Sequence, residues 1–146
     1  MRSRSEQFKI LRERAQPSQD AVEIFCKRNN IKCLKSGKEY GGNQYDPDFV
    51  VENFLGMPKV GLEIKTGVIG QECNEYLYQV NLSKEIPVFI GWVTGLELKV
   101  YNIQKLGNDI RKKDGNFETG SGKPWYCFVD VLKGKVKPIK IIYLNE

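Results

Sequence analysis

The 146-residue chain contains no histidine. This absence excludes a histidine general base, histidine metal ligands and a Ser-His-Asp triad. Any hydrolytic chemistry would therefore depend on carboxylates and lysine, assisted by a hard metal ion that takes oxygen ligands.

Long apolar runs and closely spaced cysteine pairs are also missing. No segment approaches the roughly 20 apolar residues that cross a bilayer. The first sixteen residues are polar and rich in arginine, unlike a secretory signal. The four cysteines form no C-x-x-C pair, so we expect buried thiols rather than a zinc site. These features predict a cytoplasmic protein with no membrane association.

The charge that is present is moderately basic, with a net value of +5. Such an excess suits a polyanionic partner such as DNA or RNA, although it is weak evidence alone. Two polar loops, at 36–44 and 107–123, carry exposed cations that would grip phosphates. The predicted DNA-binding residues are Lys38, Arg111, Lys112, Lys113 and Lys123. A solvated surface is the competing interpretation of these residues.

Seven segments have the composition of β-strands. They are 31–34, 48–52, 59–66, 87–93, 96–103, 125–132 and 139–144. The segment 87–93 is almost continuously apolar, which is typical of a strand buried on both faces.

Two helices are predicted, at 17–28 and 72–84. Ala21, Ile24 and Phe25 form the apolar face of the first helix, and Cys73, Leu77 and Val80 that of the second. We expect a single α/β domain, a mixed sheet flanked by helices. It comprises a basic arm or a short charged helix at 1–16, a core at 17–103 and a C-terminal loop and strands within 104–146.

The strands 48–52 and 59–66 would form a hairpin around a turn centred between Leu55 and Gly56. That turn places Asp48 directly opposite Glu63, with their Cβ atoms about 5 Å apart on one face. Side chains alternate along a strand, so Lys65 would share this face. An asymmetric turn would shift the pairing, and the register is therefore a hypothesis.

Two carboxylates opposed in this way repel each other unless a cation lies between them. Mg²⁺ takes carboxylate and water oxygens and keeps positions open for a phosphate. Asp48, Glu63 and the Ile64 carbonyl are the predicted ligands, and Mn²⁺ is an alternative metal. Lys65 would orient the attacking water and stabilise the transition state. Asp46 is a second candidate for the aspartate ligand, although a loop is predicted there.

The string Pro47-Asp48 followed by Glu63-Ile64-Lys65 resembles the signature of the PD-(D/E)xK nuclease superfamily. That group includes restriction enzymes, Holliday-junction resolvases and repair nucleases. The resemblance implies a restriction-endonuclease-like core of α-β-β-β-α-β order, which this chain would follow with a C-terminal β extension.

The resemblance also implies two auxiliary catalytic positions. Many members carry a glutamate on the first helix, where Glu23 is the best match and Asp20 the second. Some carry a glutamine on the helix after the E-x-K strand, where Gln79 matches and Gln71 is a rival. The Q-x-x-x-Y form is not met, because position 83 is Ser83. Solvated helix residues are the competing interpretation for all four.

The function predicted from these features is a Mg²⁺-dependent endodeoxyribonuclease. Junction resolution, restriction or homing, and structure-specific repair would all use such a core. Cutting both strands needs two active sites, so we expect a homodimer or a higher homo-oligomer. One alternative is a non-catalytic nucleic-acid-binding module on the same fold. Another is a small α/β interaction protein without a nucleic-acid role.

Overall fold

The computed structural model describes residues 4–35, 43–67, 70–106, 110–113, 125–128, 131 and 133–146. For residues 4–15, 110–113 and 125 it describes the backbone alone.

Two α-helices and nine β-strands lie within these ranges. The helices are α1 (Arg4–Arg28) and α2 (Cys73–Leu82). The strands are β1 (Cys33–Lys35), β2 (Phe49–Phe54), β3 (Met57–Thr66), β4 (Gly70–Glu72), β5 (Val88–Thr94), β6 (Glu97–Asn102), β7 (Ile110–Lys113), β8 (Trp125–Phe128) and β9 (Lys140–Tyr143). A 3₁₀ helix, Ile103–Leu106, follows β6.

Six of the strands form a mixed sheet in the order β1-β2-β3-β5-β6-β9. β3 and β5 are parallel, and the other neighbours are antiparallel. The remaining three strands form a smaller antiparallel sheet in the order β4-β8-β7. The molecule is thus a mixed α/β fold with helices packed on its central sheet, as the sequence predicts.

The β2–β3 hairpin turns through two residues, Leu55 and Gly56, whose φ angles are 51° and 76°. Positive φ at both central positions matches the right-handed twist of the flanking strands, as in type I′ turns. The turn sets the observed register, in which Phe49 pairs with Leu62 and Val51 with Val60. The predicted register of this hairpin is confirmed.

Alternation along β3 divides the central sheet into two different faces. Leu62 and Ile64 belong to a core cluster that includes Val22 and Cys26 of α1. On the opposite face, Tyr76 of α2 packs in a second core cluster with Val88 and Ile90 of β5, and with residues of the 3₁₀ helix and β8. β5 contributes to both clusters, and its burial on both faces confirms the prediction for 87–93.

The first helix is longer than predicted, because it begins at Arg4 and passes through Pro17. Residues 4–16, predicted as a basic arm or a short charged helix, are helical and continuous with the predicted helix. Proline removes one backbone hydrogen bond from a helix interior, but the arginines, glutamates and leucine before it favour helix. The apolar face is also rotated: Val22 and Cys26 are buried, whereas Ile24 is 54% exposed.

The predicted apolar face of the second helix is correct at Cys73 and Val80 and wrong at Leu77. Leu77 is 56% exposed, while Cys73, Tyr76 and Gln79 are buried. The inward face is partly polar because it lies over Lys65 of β3, as described below. Hydrophobic spacing alone does not identify such a face.

The C-terminal half also differs from the prediction in its pairing. The predicted loop at 107–123 contains β7, and the short strand β4 is not among the predicted strands. β8 and β9 belong to different sheets. Pairings between segments distant in sequence determine these assignments, and local patterns carry little information about them.

Three of the four cysteines, Cys26, Cys73 and Cys127, are buried, and Cys33 is partly exposed. The described helices include none with the length and apolarity needed for a membrane span.

The packing at Gly91 on β5 gives a stability prediction. A Cβ atom there would lie 2.8 Å from Leu98 Cδ1 and 3.2 Å from Ile64 Cδ1. Gly91→Ala should therefore reduce the free energy of unfolding by about 1–3 kcal/mol through overpacking. Urea denaturation measures this, and Leu77→Ala on the exposed side of α2 should change it by less than about 0.5 kcal/mol. Equal stability of Gly91→Ala and wild type would contradict the described packing.

Candidate active site

The site lies at the open end of the β2–β3 hairpin, just before β2 begins. Asp48 directly precedes Phe49, the first residue of β2, and the hairpin register continues to place it opposite Glu63. The Asp48 amide donates to Glu63 Oε1 at 3.1 Å. The Ile64 amide donates to Asp48 Oδ2 at 2.8 Å. The two carboxylates are therefore both tied to the backbone of the same hairpin end.

The Ile64 hydrogen bond follows from strand geometry. The Gly61 amide donates to the carbonyl of Pro87, just before β5. Backbone amides alternate in direction along a strand, so the β3 amides an odd number of residues from Gly61, including that of Ile64, point to β2. Ile64 lies beyond the last β2 pair, Phe49 with Leu62. The Asp48 carboxylate takes the place of the missing strand carbonyl. The Ile64 carbonyl, a predicted ligand, projects from the same edge of β3 as its amide.

The segment before Asp48 folds back over β3 instead of extending β2. Pro47 lies over Gly61, where an added Cβ would approach its Cγ to 2.8 Å. Asp46 accepts hydrogen bonds from the Tyr78 hydroxyl at 2.6 Å and from the Asn43 amide at 2.8 Å. Both Asp46 oxygens are thus used in holding this segment, which favours Asp48 as the aspartate of the site.

Lys65 lies between two glutamates. Its Nζ is 3.5 Å from Glu63 Oε2 and 3.3 Å from Glu75 Oε1, on the first turn of α2. The side chains are poorly accessible: that of Glu63 is 6% exposed, that of Lys65 16% and that of Glu75 24%. Three carboxylates, including that of Asp48, thus surround one ammonium group in a largely desolvated site.

Burial and mutual repulsion alter the protonation of the carboxyl groups. Burial raises the pKa of Glu63 well above its ordinary value, and the charges of Asp48 and Glu75 raise it further. Burial also raises the pKa of Asp48, against the opposing effect of Lys65. Burial alone would raise the pKa of Glu75, but the Lys65 charge and several hydrogen bonds hold it below its usual value. Glu63 is therefore the carboxyl most prone to bind a proton.

Lys65 remains a cation in this environment. Burial alone would lower its pKa, but the charges of Glu75, Glu63 and Asp48 raise it above the ordinary lysine value. An ammonium that keeps its proton cannot act as a general base at neutral pH. It can stabilise negative charge and orient a water or a phosphate oxygen.

Two buried glutamines connect this group to the rest of the fold. Gln71 Nε2, on β4, donates to Glu75 Oε1 at 2.8 Å and to Gln79 Oε1 at 2.6 Å. Gln79 Nε2 donates to the Tyr45 carbonyl at 3.0 Å. Both glutamines are 0% exposed. Gln79, a predicted catalytic residue, thus lies near the site but contacts its neighbours rather than the carboxylate pair.

The sequence prediction missed Glu75 altogether. Glu75 and Gln79 are spaced by four residues, which places both polar side chains on one side of α2, and Gln71 precedes Glu75 by four residues on β4. That spacing was the available signal, and it was obscured by the apolar residues between them.

Glu23, the other predicted auxiliary residue, lies on α1. It forms ion pairs with Lys35 at 3.3 Å and Lys27 at 3.7 Å. α1 packs on the Leu62–Ile64 face of the sheet, opposite to the face that carries Glu63 and Lys65. The structure therefore does not bring Glu23 to the carboxylate pair, and its catalytic role stays a prediction.

The predicted DNA contacts cannot be placed. Lys38 and Lys123 lie outside the described residues, and Arg111, Lys112 and Lys113 form β7 with only their backbone described.

Within the described ranges, no group of three or more acidic or cysteine side chains is arranged to hold a metal ion by itself. Mg²⁺ does not require such a cage, because it commonly binds one or two carboxylates and completes its octahedron with water and substrate oxygens. Asp48 and Glu63 offer hard oxygen donors, and together with Glu75 they carry more negative charge than Lys65 balances. The residues present therefore fit a hard divalent cation.

The fold is similar to that of a solved nuclease. The Holliday junction resolvase Hjc of Archaeoglobus fulgidus matches with a TM-score of 0.54 at 9% sequence identity, covering 85% of this chain and 91% of that chain. Hjc has a restriction-endonuclease-like fold. Neither a protein-family model nor a curated protein matches the sequence. A likeness at this identity shows the fold, so the predicted fold class is confirmed.

The raised pKa of Glu63 predicts a pH-dependent stability. The folded state binds this proton more tightly than the unfolded state, so its stability falls as pH rises from the ordinary carboxyl value through the raised one. Glu63→Gln removes the effect and keeps an acceptor for the Asp48 amide. In metal-free buffer, the variant should be more stable than wild type at about pH 8, by about 1.4 kcal/mol per unit of pKa shift.

Denaturant unfolding across pH measures this difference, which should shrink towards about pH 5, below the raised pKa. Glu52→Gln on the same hairpin is the control, because Glu52 forms only a partly exposed ion pair with Lys32. A parallel pH profile for Glu63→Gln and wild type would show that Glu63 titrates normally.

Proposed function

We propose that this protein is a metal-dependent endonuclease of the PD-(D/E)xK type that hydrolyses DNA phosphodiesters. The observation that carries the proposal is the meeting of Asp48, Glu63 and Lys65 at one hairpin end. Their positions on adjacent antiparallel strands match the signature of that superfamily. The fold likeness to a Holliday junction resolvase supports the same conclusion.

Asp48 and Glu63 would hold Mg²⁺, or Mn²⁺ in its place, with the Ile64 carbonyl as a further ligand. When bound, the ion would neutralise the two carboxylates and the phosphodiester and lower the pKa of a coordinated water. The backbone hydrogen bonds of the hairpin fix both carboxylates before the ion arrives. Such fixed ligands lower the reorganisation needed for binding and reaction.

Lys65 would act as a permanent cation rather than as a proton carrier. Its ammonium is 3.5 Å from Glu63 Oε2, so it lies beside the position where the phosphodiester would bind. There it would hydrogen-bond the attacking water or a phosphate oxygen and stabilise the negative charge that grows in the transition state. With no histidine in the chain, the carboxylates are left to accept the proton of the water.

DNA is the proposed partner, and branched DNA is the first substrate to test, because the similar structure is named as a junction resolvase. Cutting both strands would need a second active site, so we propose a homodimer or a higher homo-oligomer. The roles of Lys38, Arg111, Lys112, Lys113 and Lys123 in binding phosphates remain part of this proposal.

A cleavage assay tests the proposal. Wild type should cut plasmid or branched DNA with Mg²⁺ or Mn²⁺ and not with EDTA. Asp48→Asn and Lys65→Met should each reduce the rate roughly 100- to 1000-fold, because each removes charge that the transition state requires. Glu52→Gln and Lys59→Met change the same charges on the same hairpin and should retain activity.

Two results would contradict this proposal. Cleavage by Asp48→Asn at the wild-type rate would remove the aspartate from the mechanism. Tight DNA binding without cutting, under either metal, would favour the non-catalytic binding module instead.

Metal binding can be tested separately from cleavage. Mg²⁺ at 100 times its Kd should raise the free energy of unfolding of wild type by about 2.7 kcal/mol, because only the folded state holds the ligands together. Asp48→Asn should lose most of this stabilisation, while Glu52→Gln should keep it. Thermal unfolding with and without Mg²⁺ measures the effect. Equal stabilisation of wild type and Asp48→Asn would place the ion elsewhere.

A further inference from the structure

Glu75 is the one carboxylate of the site that the proposed mechanism leaves without a role. It lies on the first turn of α2 and is 24% exposed. Its Oε1 is 3.3 Å from Lys65 Nζ, slightly closer than the Glu63 oxygen at 3.5 Å. The ammonium is therefore shared between the strand that carries it and the helix above it.

The Glu75 carboxylate is itself anchored by a buried amide. Gln71 Nε2 donates to Glu75 Oε1 and to Gln79 Oε1. Gln71 Oε1 has no hydrogen-bond partner among the described residues, although the side chain is fully buried. If the Gln71 side-chain amide were turned over, its oxygen would face the Glu75 and Gln79 oxygens, which are also acceptors. The two hydrogen bonds that Nε2 donates therefore determine the orientation of the amide. Gln71 thus directs its hydrogen bonds to holding Glu75 and Gln79.

The anchor connects the smaller sheet with the segment that precedes Asp48. Gln71 pairs with Tyr126 of β8 in the smaller sheet. Gln79 donates to the Tyr45 carbonyl, three residues before Asp48. The position of Glu75 is therefore determined by elements on both sides of the site.

Lys65 and the metal would compete for the same carboxylate. The ammonium contacts Glu63 Oε2, and the proposed function assigns Glu63 to the metal. An ammonium with Glu63 and Asp48 as its only anions would have to be displaced before a divalent cation binds. Glu75 gives the ammonium another carboxylate, which is held by α2 rather than by the hairpin.

We propose that Glu75 is a positioning residue, which holds the Lys65 ammonium towards α2 and so leaves Glu63 available to a divalent cation. This role rests on the proposed function, because it assumes that Glu63 binds the metal. Glu75 acts through Lys65 and touches neither the metal nor the DNA. Gln71 supports it by fixing the Glu75 carboxylate.

A double-mutant cycle tests whether Glu75 acts through Lys65. Mn²⁺ is titrated calorimetrically into metal-free wild type, Glu75→Gln, Lys65→Met and the double variant. Glu75→Gln should weaken Mn²⁺ binding about tenfold in the wild-type background. In the Lys65→Met background no ammonium remains to be held, and the same substitution should change Kd less than about twofold. Glu85→Gln removes an equal charge beyond the end of α2 and should leave Kd unchanged.

Kinetics provide a second readout. Glu75→Gln should lower kcat about 10- to 100-fold, because Lys65 is no longer held beside the reacting phosphate. KM for DNA should change less than about threefold. Glu75→Asp keeps the charge and should recover part of kcat. Gln71→Met releases Glu75 without removing its charge and should lower kcat in the same direction.

The outcomes separate this role from the proposed function. If wild type binds Mn²⁺ and cuts DNA, but Glu75→Gln weakens Mn²⁺ equally in both backgrounds, Glu75 is a ligand or a general charge and the positioning role is wrong. An unchanged kcat in Glu75→Gln also overturns it. A wild type that neither binds Mn²⁺ nor cuts DNA refutes the proposed function and this role together. Circular dichroism checks folding, and Gln71→Met serves for both readouts if Glu75→Gln is unfolded.

Discussion

The ammonium of Lys65 joins the strand and helix sides of the candidate site. It lies between Glu63 of the hairpin and Glu75 of α2, with Asp48 beside Glu63. Three carboxylates in a poorly solvated site repel each other, and burial raises the pKa of Asp48 and Glu63. One lysine does not neutralise three acids, so negative charge remains. That excess is the feature that suits the site to a divalent cation and a phosphodiester.

The two faces of the central sheet have different roles: one stabilises the fold, and the other carries the candidate site. Leu62 and Ile64 point into the core beneath α1, whereas Glu63 and Lys65 point to α2. The apolar face stabilises the sheet regardless of what the polar face contains. The polar face is supported by hydrogen bonds from Gln71 and Gln79, which are as fully buried as the core residues. Helix α2 therefore serves as the second wall of the site.

Local sequence patterns predicted the parts of the site that lie on one hairpin. Asp48 and Glu63 are opposed because a two-residue turn at Leu55 and Gly56 leaves a single register for two alternating strands. Among the residues contributed by other elements, the sequence singled out Gln79 and Gln71 but not Glu75. No local pattern identifies Glu75, because its partner Lys65 is ten positions away and lies on a strand, whereas Glu75 lies on a helix. Glu23 was selected by helix position, although α1 lies on the other face of the sheet.

The amino-acid sequence by itself determined the chemistry available and the register of one hairpin. The chain has no histidine, and it carries two carboxylates and a lysine on one hairpin. The two-residue period of a strand and the length of the turn decide which of these side chains share a face. Tertiary structure alone decided what surrounds them. Packing of α2 over β3 brought Glu75 to Lys65, and pairing of β4 with β8 set Gln71 above it. These contacts join segments that are distant in sequence, and they depend on burial and hydrogen bonding between those segments. No local periodicity encodes them.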